Sequence, residues 1–338
     1  GVQDNVAVTT KAIGDFLARR NSLILSHQPD AQRRIDRLQG RNAPGGTSVN
    51  GAFLPGSDKL PVRATFNDGT VVARASLSAA QESSYGNAKS SSIDIWAEAQ
   101  LSDFRYLSVD GDFRVFYAGA DITVHEDLLI GVMGQYDITK LDGTNITGVR
   151  EGEGWMVGPY VTARLSDNLF VDARAAWGRS TNDISPFGTY VDEFKSSRIL
   201  LSAALTGEFK LGKKFTLRPE AAIHYIDEKQ HAYVDSLSST IPSQSVDQGQ
   251  VSIAPRLHYD GDLGGGWKLR PYVEARGIYT FGDNMTAVSA KSTRLRMEGG
   301  FDLLSESGFR ANASYFHDGI GDSGLKSNGF KVTLGLTF

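Results

Sequence analysis

The side chains in this sequence best suited to acid–base chemistry are its six histidines and the carboxylates near them. His224 and His258 fall on the polar side of alternating segments, close to Glu220 and Arg256, where a proton relay could be built. Histidine suits a relay because its pKa lies near neutral pH. No serine nucleophile motif and no histidine pair at metal-ligand spacing accompanies them. A hydrogen-bonded structural histidine is the favoured interpretation, and we predict no catalytic residue and no enzyme.

Metal and nucleic-acid chemistry are indicated only weakly. Asp110-Gly111-Asp112 and Asp260-Gly261-Asp262 place two carboxylates around a glycine, but Asp-Gly is first a turn signal. The chain has no cysteine, so thiolate metal sites and disulfides are excluded. Its net charge of −4 gives no strongly basic surface for nucleic acid. We expect no metal site, no cofactor and no nucleic-acid partner.

Most charged side chains in the second half of the chain occupy alternating positions. Because successive side chains of a strand point to opposite faces, charges two residues apart share one face. A sandwich would turn that face to bulk water, whereas a barrel would enclose it. We therefore predict a polar wall that lines an enclosed lumen. Its predicted members are Arg218, Glu220, Arg256, Arg270, Glu274, Arg276, Arg294, Arg296 and Glu298.

The elements that would position these charges are about twelve alternating segments that follow residue 92. In the first of them, Ile93 and Ile95 alternate with Asp94 and Trp96. An even number of strands is typical of bacterial transmembrane barrels, whose apolar face contacts lipid. Four prolines lie on the apolar side inside the segments and count against unbroken strands, because proline removes a ladder hydrogen bond. They are Pro159, Pro219, Pro255 and Pro271.

The breaks between the segments alternate in length, which favours a barrel with tight turns on one rim and long loops on the other. Short breaks are expected near 125–127, 166–168, 211–214, 261–266 and 305–308. Long loops are expected near 102–111, 139–152, 179–195, 227–248, 282–292 and 318–328. Aromatic residues near both kinds of break predict interfacial girdles. They are Trp155, Trp177, Tyr225, Tyr279 and Phe281 by the loops, and Phe170, Phe215, Trp267 and Phe338 by the turns.

In the last eleven residues, apolar side chains alternate with polar or small ones without interruption up to the carboxyl terminus. The apolar positions are Phe330, Val332, Leu334, Leu336 and Phe338. Such a strand would leave an exposed edge in a soluble sheet. Pairing with the first strand of the domain would remove that edge, and the apolar row could then face lipid.

The amino-terminal part is predicted to be helical. Ile13, Phe16 and Leu17 lie at helical spacing from Asp4 to His27, and Pro29 ends the pattern. Asp30 can cap a second short helix that ends at Leu38. We expect three regions: a helical segment at 1–40, a connector with a possible small hairpin at 41–91, and a barrel at 92–338. Gly1 is not an initiator methionine, so we expect a longer precursor.

Several blocks resemble those of a known family. They are Gly111-Asp112-Phe113 through Gly119-Ala120-Asp121, Gly158-Pro159-Tyr160 through Leu169, and Asp172 through Gly178. With the leading helix and the final Phe338, the chain resembles the C-terminal translocator domain of a bacterial autotransporter, a type V secretion protein.

The resemblance implies an all-β transmembrane barrel of about 12 antiparallel strands, with an N-terminal α-helix threading the lumen. It implies outer-membrane lipid as surroundings, an upstream passenger in cis, and an assembly machinery that reads the terminal strand. We expect a monomer in the bacterial outer membrane. Asp15, Arg19 and Arg20 on the helix could pair with the polar wall, although the wall charges could equally pair with one another.

Three alternatives stay open at this point. The helix could belong to a soluble partner domain, the barrel could be an open outer-membrane channel, or its long loops could bind a partner. Some autotransporters cut their own lumen helix at an Asn-Asn pair. Here Asn5 and Asn21 each stand alone, so we expect the passenger to stay attached or to be removed by another protease.

Overall fold

The computed structural model describes residues 2–39, 76–79, 93–106, 109–142, 148–282, 292–305, 309–322 and 324–337. These residues form the helices α1 (Val2–Ser26) and α2 (Gln32–Leu38) and a series of strands. Neither helix combines the length and apolar character that a membrane-crossing helix needs. The strands are β1 (Ser76–Ala79), β2 (Ile93–Tyr106), β3 (Val109–His125), β4 (Leu128–Asp142), β5 (Gly148–Ser166), β6 (Leu169–Ser185), β7 (Asp192–Gly207), β8 (Phe209–Leu211), β9 (Phe215–Gln230), β10 (Tyr233–Val234), β11 (Thr240–Ile241), β12 (Gln244–Tyr259), β13 (Gly261–Gly264), β14 (Trp267–Phe281), β15 (Ser292–Ser305), β16 (Phe309–Ile320) and β17 (Leu325–Thr337).

Twelve long strands form a closed antiparallel barrel, which confirms the predicted fold class. They are β2 to β7, β9, β12 and β14 to β17, and each pairs with the long strands before and after it in the chain. The last strand closes the barrel on the first, with Leu325 opposite Tyr106 and Phe330 opposite Leu101. Closure leaves no edge of unpaired backbone groups among the barrel strands, so the whole wall can face hydrocarbon.

The short strand β1 lies at the seam of the barrel. It pairs antiparallel with the start of β2 and parallel with the end of β17. Only residues 76–79 of the predicted connector at 41–91 belong to the described residues. The small hairpin predicted within that connector lies outside them.

The predicted alternation is observed along the barrel strands. In β14, Tyr272 and Glu274 are buried while Val273 is 59% exposed. The exposed row of such strands is apolar, which is what contact with lipid chains requires. Large apolar side chains on this outer face include Ile130, Val132, Ile199, Leu201, Ile223, Ile253, Val273 and Phe301.

The predicted aromatic girdles need one correction. Trp155, Trp177, Phe215 and Trp267 are exposed on the outer face as expected. Phe170 is not, because it occupies the inward parity of β6 and is buried in the lumen. Phe338 lies outside the described residues.

The prolines are accommodated where the hydrogen-bond ladder is already interrupted on one side. Pro219 faces the break between β7 and β8, and Pro271 faces the break between β12 and β13. Pro255 lies where the β12–β14 ladder is interrupted between Ile253 and Arg256. Pro159 lies in the similar gap between β5 and β6. The strands therefore continue through all four positions.

The predicted long loops are shorter than expected, because the strands extend well into them. The loops predicted near 102–111 and 318–328 are wrong: β2 ends at Tyr106 and β3 begins at Val109, while β16 ends at Ile320 and β17 begins at Leu325. Above the membrane both faces of a strand can be polar. Backbone pairing therefore continues beyond the point where the alternation of apolar and polar residues ends, and that alternation does not predict the strand ends. At this end of the barrel β6 and β7 are joined through 186–191, and β9 and β12 through 231–243. These connections are longer than the described turns at the other end, and we call this end the loop rim.

Several inward glycines allow a ring from the neighbouring strand to lie against the backbone. Gly131 is directly opposite Tyr160, and a Cβ there would lie 2.6 Å from the Tyr160 hydroxyl oxygen. The Tyr160 hydroxyl in turn hydrogen-bonds Asp121 and accepts a bond from Trp96 Nε1 at 2.9 Å. Ring, glycine and lumen hydrogen bonds therefore form one packed unit.

This packing predicts different effects for two alanine substitutions in β4. Gly131→Ala should destabilise the barrel by about 1–3 kcal/mol, because an overpacked core forces its neighbours to shift. Gly134→Ala is the matched control, since the nearest atom to its added Cβ is 4.0 Å away. Each variant is heated to a series of temperatures before gel electrophoresis. The measurement is the temperature at which the band of the compact, folded barrel disappears. Equal temperatures for the two variants would contradict the packing argument.

Candidate functional site

The most distinctive feature of the barrel is the helix inside it. α1 contacts β5, β9, β11 and β12 from within. Its apolar residues at helical spacing, among them Ile13, Leu17 and Ile24, have no exposed surface. The predicted threading of the lumen by an N-terminal helix is therefore confirmed.

The first half of α1 lies at the loop rim in an apolar environment. The hairpin β10–β11 covers it: Ile241 is fully buried, and Tyr233 stacks on Phe194 with ring centroids 6.3 Å apart. These contacts close the outer mouth around the helix. The apolar cluster contains Ile13, Phe16, Leu17, Ala18, Val149, Ile184, Phe194, Ile241 and Val246.

The middle of α1 carries a buried network of charges that we call the Arg20 network. Arg20 Nη2 lies 2.5 Å from Glu228 Oε1, and Arg20 also hydrogen-bonds Asn182. Arg198 continues the network, with its Nε 3.0 Å from Glu228 Oε1 and its Nη1 2.6 Å from Asp137 Oδ1. All four charged side chains are fully buried. A buried ion pair that loses one partner leaves an uncompensated charge, so these contacts resist withdrawal of the helix.

The predicted helix residues are only partly engaged with the wall. Arg20 meets the wall through Glu228. Asp15 instead pairs with Lys11 on the same helix, at 2.7 Å. Arg19 is half-buried on the flank of the helix.

Sequence reasoning missed the wall partners Asp137, Arg198 and Glu228. They lie at the outer ends of strands, next to or inside segments that the sequence analysis assigned to long loops. The signal for one of them was present, since Glu228 shares the parity of Arg218 and Glu220 on β9.

The carboxyl end of α1 is held by donors from the wall. Arg294 Nη2 donates to Ser26 Oγ at 2.6 Å, and Arg296 Nη1 donates to the Ser26 carbonyl at 3.0 Å. The Tyr117 hydroxyl donates to the His27 carbonyl at 2.9 Å. Cationic donors are favourable there because a helix leaves its last carbonyls unpaired and partially negative. The chain then turns through residues 27–31, which we call the elbow.

The second helix crosses the lumen near the tight turns and is tied to strands on several sides. Arg34 lies 2.9 Å from Asp172 on β6, and Asp36 lies 2.8 Å from Arg218 on β9. On β3, Asp121 pairs with both Arg33 and Arg37. α2 therefore braces the lumen from strand to strand.

The elbow and the start of α2 share one acidic residue. Asp30 lies 3.0 Å from Arg256 on β12. Asp30 Oδ1 also accepts the backbone N–H of Gln32, the first residue of α2, at 2.6 Å. Asp30 thus lies one residue before the N-cap of α2, which is Ala31 and makes no side-chain capping bond, so the predicted capping position is wrong by one residue. The ion pair of Asp30 with the wall was not foreseen.

The structure divides the nine predicted wall residues into two groups. Arg218, Arg256, Arg294 and Arg296 contact the helices or the elbow, as described above. The others pair across the wall: Arg276 lies 2.8 Å from Glu220 and 3.0 Å from Glu274, and Arg270 lies 2.7 Å from Asp260. Seven of the nine are buried, and Glu220 and Arg276 are half-buried.

The carboxylate of Asp260 lies at the rim with the tight turns, outside the strands. Partial burial would raise its pKa, but hydrogen bonds from Lys210 and Thr216 and the charge of Arg270 outweigh that effect. Together they hold the pKa of Asp260 well below its usual range. Asp260 therefore stays ionised and fixes Arg270 in place.

The two histidines considered for a relay differ in their hydrogen bonds. His224 Nδ1 is 2.7 Å from Ser202 Oγ, as expected for a hydrogen-bonded structural histidine. His258 is fully buried with its ring 5.3 Å from that of Tyr272, but neither of its ring nitrogens has a hydrogen-bond partner, so the expectation is wrong there. Among the described residues, no three side chains of the His, Cys, Asp or Glu type form a cluster that could hold a metal ion.

The terminal strand places its predicted apolar row in the barrel wall. Phe330 is 49% exposed on the outer face. The backbones of Val332, Leu334 and Leu336 pair with β16. Phe338 is outside the described residues.

The Arg20 network predicts a large difference between two substitutions on α1. Arg20→Met should destabilise the assembled chain by about 3 kcal/mol, because Glu228 loses a buried partner. Lys11→Met is the matched control: Lys11 is 64% exposed, and an exposed helical ion pair contributes only ~0.3–0.5 kcal/mol. Chemical unfolding in detergent measures both, and Arg20→Met combined with Glu228→Gln should recover part of the loss. A loss for Arg20→Met no larger than for Lys11→Met would contradict the network.

Comparison with known proteins identifies relatives of this barrel. The chain is 24% identical over 220 residues to the uncharacterised protein YaiT of Salmonella typhimurium, covering 63% of this chain and 22% of that protein. The chain thus spans about a fifth of the length of this relative.

Two solved structures share the fold. The β-domain of the Bordetella autotransporter BrkA is 16% identical with a TM-score of 0.60, covering 70% of this chain and 96% of that one. The translocator domain of NalP from Neisseria meningitidis is 17% identical with a TM-score of 0.53, covering 73% and 88%. The family described as autotransporter beta-domain matches residues 88–316, which is more than half of the chain. The chain therefore belongs to the autotransporter beta-domain family.

Proposed function

We propose that this chain is the translocator and membrane anchor of an autotransporter. It inserts in the bacterial outer membrane, allows an upstream passenger to reach the cell surface, and holds that passenger there. The observation that carries the proposal is the placement of α1 inside a closed barrel, with its amino-terminal half at the loop rim. In bacterial barrels the longer loops face the exterior. A passenger attached ahead of residue 2 therefore emerges on the outside of the cell.

The same helix acts as plug and tether after export. Apolar contacts hold its outer half, the Arg20 network holds its middle, and Arg294 and Arg296 hold its carboxyl end. No bond-making step is needed for this role. The lone Asn5 and Asn21 do not provide the Asn-Asn pair of self-cleaving relatives, so the passenger stays attached or is removed by another protease.

The terminal strand serves as the assembly signal in this proposal. The cell's barrel-assembly machinery reads the alternating row, and β17 then closes the barrel against β2. One chain supplies every strand of the closed sheet, so the translocator acts as a monomer. The division into a tether at 1–40, a connector at 41–91 and a barrel at 92–338 fits these roles. The proposed signal consists of Phe330, Val332, Leu334, Leu336 and Phe338.

A surface-display assay tests this function. A reporter domain fused ahead of Gly1, with a secretion signal, should become accessible to protease added outside intact cells. Phe330→Ser with Leu334→Ser should abolish display, because two apolar positions of the proposed assembly signal are lost. Asn328→Ser, a polar change on the same strand, is the control and should leave display intact. A reporter that stays protected inside the cell with the unmodified barrel would refute the proposal.

The position of the two helices in the lumen also predicts the ion conductance of the barrel. The complete chain should give little conductance in planar lipid bilayers, since α1 and α2 fill the lumen. Deleting residues 2–39 should open a steady ohmic pore, because the remaining wall is polar and wet. Lys11→Ala, which alters an exposed helix position, should leave the complete chain closed. A large steady conductance of the complete chain would instead favour an outer-membrane channel.

A further inference from the structure

A small cavity lies inside the lumen beside the elbow. Its volume is about 100 Å³, and it is bounded by the elbow and by inward side chains of the wall. Six arginines, one lysine and five carboxylates contribute to this lining, and five of the arginines have a carboxylate partner. The pairs are Arg34 with Asp172, Arg218 with Asp36, Arg256 with Glu274, Arg276 with Glu220, and Arg296 with Glu298.

Arg174 is the exception in this lining. It is only 5% exposed. Its Nη1 donates to Gln28 Oε1 at 2.9 Å and its Nη2 donates to Gln135 Oε1 at 3.0 Å, so both partners are neutral amides. Its Nε is buried without a hydrogen-bond partner, and its guanidinium lies 5.4 Å from the Tyr117 ring centroid. Among the described residues, no carboxylate forms an ion pair with Arg174. Asp172 on the same strand interacts with it electrostatically, but Asp172 is already paired with Arg34 at 2.9 Å.

Burial of such a guanidinium destabilises the folded state. Amide oxygens can satisfy its hydrogen bonds, but they do not neutralise its charge, and an uncompensated buried charge is strongly destabilising. The face of Tyr117 offsets only part of this cost. A bound anion would provide the missing negative charge.

The register of the barrel places further donors beside Arg174. Arg174 is directly opposite Ser202, which is opposite His224, which is opposite Gln250, on four successive barrel strands. All four line the cavity. Ser202 Oγ and His224 Nδ1 are 2.7 Å apart, and the side chains of Arg174 and Arg276 are close enough to His224 to interact electrostatically. Ala204, whose side chain is a single methyl group, also lines the cavity.

We propose that this cavity binds one small oxyanion of the size of inorganic phosphate. Arg174 supplies the compensating charge and its free Nε–H. Ser202 supplies one neutral donor, its hydroxyl, whose oxygen accepts the Nδ1–H of His224. Because Arg174 also holds Gln28 of the elbow, the anion stabilises the seated position of the two lumen helices. This inference does not depend on the export role, since an open channel or a loop-binding barrel would carry the same site.

The experiment is a titration of the complete folded chain with inorganic phosphate in detergent micelles. Isothermal calorimetry measures binding, and a gluconate buffer, whose anion is larger than phosphate, keeps the ionic strength constant. We expect saturable binding of one phosphate per chain. Arg174→Gln should weaken it at least about tenfold, as expected for the loss of a hydrogen bond to a charged group. Arg105→Gln, which removes a rim cation that is 66% exposed, should leave the affinity unchanged.

A second variant tests the same site in case Arg174→Gln does not fold. Ser202→Ala removes one donor without adding bulk, and it should weaken phosphate binding about fivefold. The compact gel band of the unheated protein reports folding for every variant. Absence of saturable binding to the unmodified chain would overturn the proposal. So would phosphate affinities of folded Arg174→Gln and folded Ser202→Ala that are both equal to that of the unmodified chain.

Discussion

The fold depends on one constraint: a barrel wall in the outer membrane has hydrocarbon on one side, so the charged side chains within the membrane must face inward. The inward face of this chain carries many charges, and a narrow lumen gives them little bulk water. Helices α1 and α2 meet that requirement. Arg20 pairs with Glu228, Asp30 and Asp36 pair with wall arginines, and the carboxyl end of α1 accepts bonds from Arg294 and Arg296. The wall and the helices therefore stabilise each other.

The two helices occupy different levels of the lumen and have different contacts. α1 is held by apolar packing at the loop rim and by buried charges below it. α2 lies nearer the tight turns, where Ile35 and Leu38 are buried in a second apolar cluster and ion pairs tie the helix to strands on several sides, including β3, β6 and β9. Apolar packing closes the outer mouth, and packing together with charge pairing braces the inner end. These contacts let one short segment both fill the lumen and fix its own register.

Period-two alternation predicted most of the barrel, because lipid contact imposes it on every strand within the membrane. It predicted the closing strand and the inward parity of residues such as Glu274 and Arg296. It failed above the membrane, where both faces are polar, so Glu228 and Arg198 were not recognised as lumen residues. Which carboxylate meets which arginine could not be predicted either, since it depends on register between distant strands. Phe170 shows the same limit, because its position near a turn did not reveal that it faces the lumen.

The most direct test of this account is hydrogen exchange of the backbone amides of α1 in the complete chain folded in lipid. Helix amides enclosed in a lumen exchange only when the helix leaves it or the barrel opens. The account predicts that residues 13–25 exchange as slowly as the central barrel strands, and that Arg20→Met accelerates them selectively. Exchange of these amides at the rate of an unstructured peptide, with the strands still protected, would contradict a seated helix.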